Sequence, residues 1–85
     1  MVTKKITIKI PTGLEARPVA LLVQVASRYE SSIYVECEDK KVNAKSIMGM
    51  MSLGIAAGEE VTVIANGEDE EEAIENIEKY LSSKE

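Results

Sequence analysis

Within the first 29 residues the hydrophobic pattern changes its period, and that change narrows the folds open to the chain. Ile6, Ile8 and Ile10 alternate with Thr7 and Lys9, the period of a strand with one buried face, predicted over residues 2–10. Pro11-Thr12-Gly13 breaks the run. Residues 18–29 then carry Val19, Ala20, Leu21, Leu22, Val23, Val25 and Ala26. Such a run is longer than an ordinary strand, so it reads as a helix, with Gln24, Ser27 and Arg28 on its wetter face. Pro18 fits a first helical turn, where a missing N–H costs nothing.

The same alternation of periods continues. Ile33, Val35 and Cys37 alternate with Tyr34 and Glu36 over residues 32–38, the polar turn Glu38-Asp39-Lys40 follows, and Lys41-Val42-Asn43 returns as the partner strand of a hairpin. Residues 46–53 are rich in Met and Ile and end near Gly54, a two-turn helix with Ser46 as N-cap. Val61, Val63 and Ala65 mark a fourth strand over residues 60–65, punctuated by Gly67. Ala73, Ile74, Ile77 and Leu81 then fall on one face of an amphipathic helix. Asp69 and Glu72 have capping-box spacing there. Glu70, Glu71 and Glu72 favour the positive end of that helix, and Lys79 the negative end. The acidic run 68–72 is therefore read as capping on a solvated face. The predicted order is β-α-β-β-α-β-α in one domain of residues 1–85, an α+β fold with one sheet and helices on one face.

The 85 residues suit a domain that buries only about 60% of its unfolded surface, so function is expected at the surface. A formal net charge of −5 argues against direct nucleic-acid binding, which needs clustered Lys and Arg. Lys4, Lys5, Lys9, Arg17 and Arg28 are nevertheless concentrated in the N-terminal part and leave room for a local anion site. The chain has no histidine, and Cys37 is its one cysteine. A disulfide framework and a Cys/His zinc cluster are both excluded. Cys37 reads as a small buried hydrophobe on a strand. The N-terminus is followed by no long apolar run, so neither a signal peptide nor a membrane span is expected, and the compartment is expected to be the cytoplasm.

Two short segments carry chemistry. Gly13 permits a turn and Pro18 opens a helix, which places Glu15, Ala16 and Arg17 at a helix N-terminus. Free N–H groups and the helix dipole favour an anion at such a place, and Arg17 adds a fork of charged donors. Glu15 has two readings. As a carboxylate at a helix start it stabilises by roughly 0.3–1 kcal/mol. Beside Arg17 it imitates a phosphorylated residue, with one negative charge against the roughly −1.5 to −2 of a phosphate. Ser46 is by itself an ordinary helix cap, and its position also suits a phosphate facing a helix dipole. Thr12, Ser31, Ser32 and Ser52 are other hydroxyls open to a kinase. Ile47, Met48, Met51 and Leu53 are more apolar side chains than one face of so short a helix can bury.

Thr12-Gly13-Leu14-Glu15-Ala16-Arg17-Pro18 and Lys41-Val42-Asn43-Ala44-Lys45-Ser46-Ile47-Met48-Gly49-Met50-Met51-Ser52-Leu53-Gly54 resemble the two functional motifs of the HPr family, phosphocarriers of the bacterial sugar phosphotransferase system. The resemblance covers essentially the whole chain. It implies an open-faced sandwich of four antiparallel strands under three helices. In the family a histidine at the position of Glu15 receives phosphate from enzyme I, and the arginine matching Arg17 helps hold it. The serine matching Ser46 is phosphorylated by HPr kinase/phosphorylase, and residues matching Ile47, Met48 and Met51 form a docking patch. The catabolite-repression branch of the family, Crh, keeps the serine and lacks the histidine, with Gln in the loop where this chain has Glu15. The resemblance thus implies a non-enzymatic regulatory phosphoprotein that acts as corepressor for the LacI-type catabolite control protein. It implies no cofactor or metal, no direct contact with nucleic acid or membrane, and a monomer or weak homodimer. The alternative is a phosphocarrier working with phosphotransferase-system proteins through the Glu15/Arg17 loop.

Overall fold

The computed structural model describes residues 1–83. Its elements are β1 (Val2–Thr7), α1 (Ala16–Ser27), β2 (Ser32–Cys37), β3 (Lys40–Asn43), α2 (Ile47–Met51), β4 (Glu60–Asn66) and α3 (Glu70–Leu81). All strand pairs are antiparallel, in the order β1-β4-β2-β3. The β2–β3 hairpin is the predicted one. The return strand β4, though last in sequence, lies between β1 and β2.

The register explains which face is covered. Val2, Ala65 and Ile33 line up across the sheet, as do Lys4, Val63, Val35 and Val42, while Ile6 meets Val61. Side chains of one row share a face, and Ile6, Val61, Val63, Ala65, Ile33 and Val35 are all buried. Against them pack Val19, Leu22, Val23 and Ala26 of α1, Ala73, Ile74, Ile77 and Leu81 of α3, and Met50 of α2. The helices thus cover one face in two layers. Lys4 belongs to the covered face by register, but at the sheet edge its ammonium escapes to Glu78 of α3, 2.7 Å away.

Three expectations need correction. The strand predicted over residues 2–10 ends at Thr7, although Ile8 and Ile10 stay buried. Beyond Thr7 the backbone changes partners. Ile8 donates to Glu59 O (2.8 Å) and accepts from Gly58 N–H (2.7 Å), and Lys9 then donates to Leu81 O at the end of α3 (2.9 Å). The periodicity reported burial correctly, while the ladder was divided between two neighbours. The second correction concerns α3. Asp69 and Glu72 form no capping box, and the Asp69 side chain makes no cap bond. Its carboxylate turns to the start of β2 and accepts from Glu30 N–H (2.9 Å), Ser31 N–H (3.0 Å) and the buried Ser31 hydroxyl. Glu70 takes up the capping geometry instead, accepting from Gly67 N–H at 3.0 Å. Third, Cys37 is half-buried at the end of β2, with Sγ 3.8 Å from Glu59 Oε2. Burial, then Glu59 and Glu38, push its thiol above the ordinary value, which disfavours the reactive thiolate.

The Asp69 node makes acid sensitivity predictable. The Ser31 hydroxyl, then the Glu30 N–H, hold its carboxyl below the usual aspartate value. A group whose folded pKa is depressed contributes stability that is present above the unfolded value, about pH 4. That contribution is lost as pH falls through the lower folded value. Asp69→Ala is therefore expected to lower Tm at pH 7, and its deficit against the parent should shrink below about pH 4. Calorimetric scans of both proteins across that range check it.

Candidate functional site

Glu15 is the N-cap of α1, with extended backbone (φ −89°, ψ −172°). The turn before it is held by a close backbone approach. Gly13 has φ +72°, and a Cβ there would lie 2.7 Å from Ile55 O and 2.9 Å from both Ala56 Cα and Ala57 N. No side chain fits, and glycine is the residue that accepts this φ without strain. Gly13 N–H closes the turn on Ile10 O, and buried Leu14 donates to Ile55 O, each at 2.8 Å. On the far side Val19 N–H meets Glu15 O at 2.9 Å. The Tyr80 hydroxyl reaches from α3 to Pro18 O at 3.0 Å. Pro18 lies in the first helical turn, as predicted.

The backbone of the loop is therefore fixed while its charged side chains are not. Glu15 and Arg17 are both exposed. Glu15 makes no side-chain cap bond, and among the described residues neither takes part in an ion pair. The expectation that Arg17 holds the Glu15 carboxylate as it would a phosphate is not met in the free chain. Both flank a groove of about 420 Å³ whose apolar wall is Ile10, Pro11, Pro18, Leu21 and Tyr80. Leu21 and Tyr80 escaped the sequence reading. Leu21 had been assigned to an apolar helix face, and Tyr80 comes from an element more than 60 residues away. Burial pushes the Tyr80 phenol above its ordinary value.

Ser46 caps α2 as predicted, its Oγ accepting from Gly49 N–H at 3.1 Å. The approach to it is an Asx-type turn, in which Asn43 Oδ1 accepts from Lys45 N–H at 2.8 Å. Lys45 Nζ, 2.6 Å from Tyr29 O, ties this turn to the end of α1. Ser46 is half-buried, so its hydroxyl is partly open to solvent. Of the other hydroxyls, Ser31 is sealed in at 1% exposure against Asp69. Thr12, Ser32 and Ser52 are exposed.

The apolar residues of α2 separate cleanly. Met50 is buried, while Ile47, Met48 and Met51 are 51%, 84% and 45% exposed. Leu53 is half-buried against the core. A two-residue step on so short a helix puts neighbouring side chains on different faces, and the outer ones find no core to enter. Among the described residues, no group of three or more His, Cys, Asp or Glu side chains is placed to hold a metal. No helix there is long and apolar enough to cross a membrane.

A family model described as the PTS HPr component phosphorylation site matches residues 2–83. The chain belongs to the HPr family. It is 54% identical over 81 residues to the HPr-like protein Crh of Bacillus subtilis, covering 95% of each chain. Its fold superposes on HPr-C-His from Thermoanaerobacter tengcongensis with a TM-score of 0.94 at 55% identity, over 99% of this chain and 94% of that one. A crystal structure of B. subtilis Crh, described as a swapped, intertwined dimer, gives 0.79 at 52% identity, over 99% and 97%.

The close approach at Gly13 predicts a specific weakness. Gly13→Ala meets both the backbone conflict and the cost of a left-handed residue, roughly 1–2 kcal/mol from conformation alone. It is expected to lower Tm and to speed amide exchange at Leu14. Chemical denaturation with hydrogen exchange measures both.

Proposed function

We propose that this chain is a non-enzymatic regulatory phosphoprotein of carbon catabolite repression. HPr kinase/phosphorylase phosphorylates Ser46, and the phosphoprotein is corepressor for the LacI-type catabolite control protein in the cytoplasm. The observation that carries the reading is the unequal state of the two motifs. The carrier loop keeps its backbone and Arg17 but has no imidazole, since the chain contains no histidine. The serine motif keeps both its hydroxyl and an exposed apolar surface beside it. The likeness to Crh proteins supports the same assignment.

Phosphorylation adds about −1.5 to −2 charges at Ser46, next to Ile47, Met48 and Met51. Charge then supplies selectivity and rate of encounter, and the methionines supply adaptable contact area. Arg17 contributes a second, cationic contact to the partner. DNA is reached only through the repressor. A weak homodimer is a further partner state: swapping is described for Crh, and β1 is an edge strand that pairs with β4 alone. The phosphocarrier reading, favoured by the description of the family model, needs Glu15 to accept phosphate as an acyl phosphate. A carboxylate does this in other proteins, but here the incoming phosphate meets a negative charge.

Intact mass after incubation with ATP and HPr kinase/phosphorylase is expected to show one added phosphate, absent in Ser46→Ala. That variant also loses the cap, about 1 kcal/mol, so its folding is checked by Tm. No added phosphate, with the kinase active on ordinary HPr, overturns the reading. For the phosphorylated chain, Met48→Ala and Arg17→Ala are each expected to weaken binding to the catabolite control protein by about 1–2 kcal/mol, measured by calorimetric titration.

A further inference from the structure

We propose that Glu15 is a specificity-determining residue which keeps phosphorylated donor proteins from docking on the carrier loop. The proposal goes beyond the Ser46 reading and does not rest on it. A loop that has merely lost its nucleophile remains a good docking site. Here Arg17 is exposed and unpaired among the described residues, and the apolar wall of Pro11, Pro18, Leu21 and Tyr80 remains open. Such a chain binds a phosphorylated donor without ever accepting its phosphate, and so acts as a competitive inhibitor of every true carrier in the cell.

The geometry of Glu15 opposes this. Its carboxylate is absorbed by nothing: it makes no cap bond and no ion pair with Arg17, and it is exposed. Its backbone cannot turn it away, because Gly13 is wedged against Ile55–Ala57, Leu14 is bonded to Ile55 O, and Val19 N–H holds Glu15 O. The charge therefore stands at the helix start where an incoming phosphoryl group would arrive. A charge of −1 facing one of about −1.5 to −2 is repulsive, and even in water such a pair at contact costs enough to change affinity several-fold. Glutamine in its place has nearly the same shape and no charge, so the residue choice acts through electrostatics.

The test is inhibition of phosphate transfer from phosphorylated enzyme I to an ordinary histidine-bearing HPr. The parent chain and Glu15→Gln serve as inhibitors. Glu15→Gln is expected to inhibit about five- to tenfold more strongly at low salt, with the difference closing as salt rises. Direct binding to unphosphorylated enzyme I should differ far less between the two proteins. Equal inhibition constants overturn the proposal. So does an equal gain toward both forms of enzyme I, which would place the effect on the enzyme surface rather than on its phosphate. Phosphate recovered on Glu15 of the parent also overturns it. Equal Tm values for the two proteins confirm that the comparison is between folded chains.

Discussion

The approach of the Gly13 backbone to Ile55–Ala57, too close for any side chain, fixes where α1 begins and hence where Glu15 and Arg17 leave the surface. The contact joins residues about 40 positions apart, so it exists only once the segment before β4 is in place. Leu14 enters the core beside it and donates to Ile55 O. From the other side the last turn of α3 holds both flanks, with Leu81 O on Lys9 N–H and the Tyr80 hydroxyl on Pro18 O. A turn with fixed backbone and free charged side chains is what a recognition surface requires, because little ordering entropy then remains to be lost on binding.

The second motif is tied to the first through α1. Lys45 Nζ reaches Tyr29 O just beyond the end of that helix, while Glu15 caps its start. The two motifs thus lie at elements that one rigid helix relates to each other. A partner that touches both reads their separation as well as their chemistry. The exposed Ile47, Met48 and Met51 follow from the brevity of α2, which spans five residues. With so few positions, burying Met50 consumes the inward face, and the rest stay in water unless a partner covers them.

Much of this was legible in the sequence, because strand and helix periods are local properties of side-chain order. The seven elements, the Ser46 cap and the exposure of Ile47, Met48 and Met51 all follow from spacing. What spacing missed came from distant competition. Asp69 has the sequence position of a capping residue, but Glu30 and Ser31 present three donors that its own helix cannot match. Ile8 and Ile10 continue the strand pattern, yet their backbone leaves the ladder because the end of α3 offers Lys9 an acceptor. Tyr80 reads as one more residue on a helix face until the fold brings it beneath Pro18. The Glu15–Arg17 pairing failed for the opposite reason: closeness in sequence does not place two exposed side chains in contact.

Carrier chemistry and recognition place different demands on one loop, and the difference explains how a chain can lose the first and keep the second. Phosphoryl transfer through imidazole depends on a single nitrogen, and removing it ends the reaction outright. Binding is spread over area and several side chains, so the same substitution leaves Arg17, the groove and the methionines of α2 intact. A docking surface without a nucleophile is then a hazard to any relay that uses the same surface. Electrostatic discrimination meets that hazard at small cost in stability, because an exposed charge at a helix start is compatible with the fold. Glutamate satisfies both conditions, since it suits the helix start and opposes the one class of partner whose visit would be unproductive.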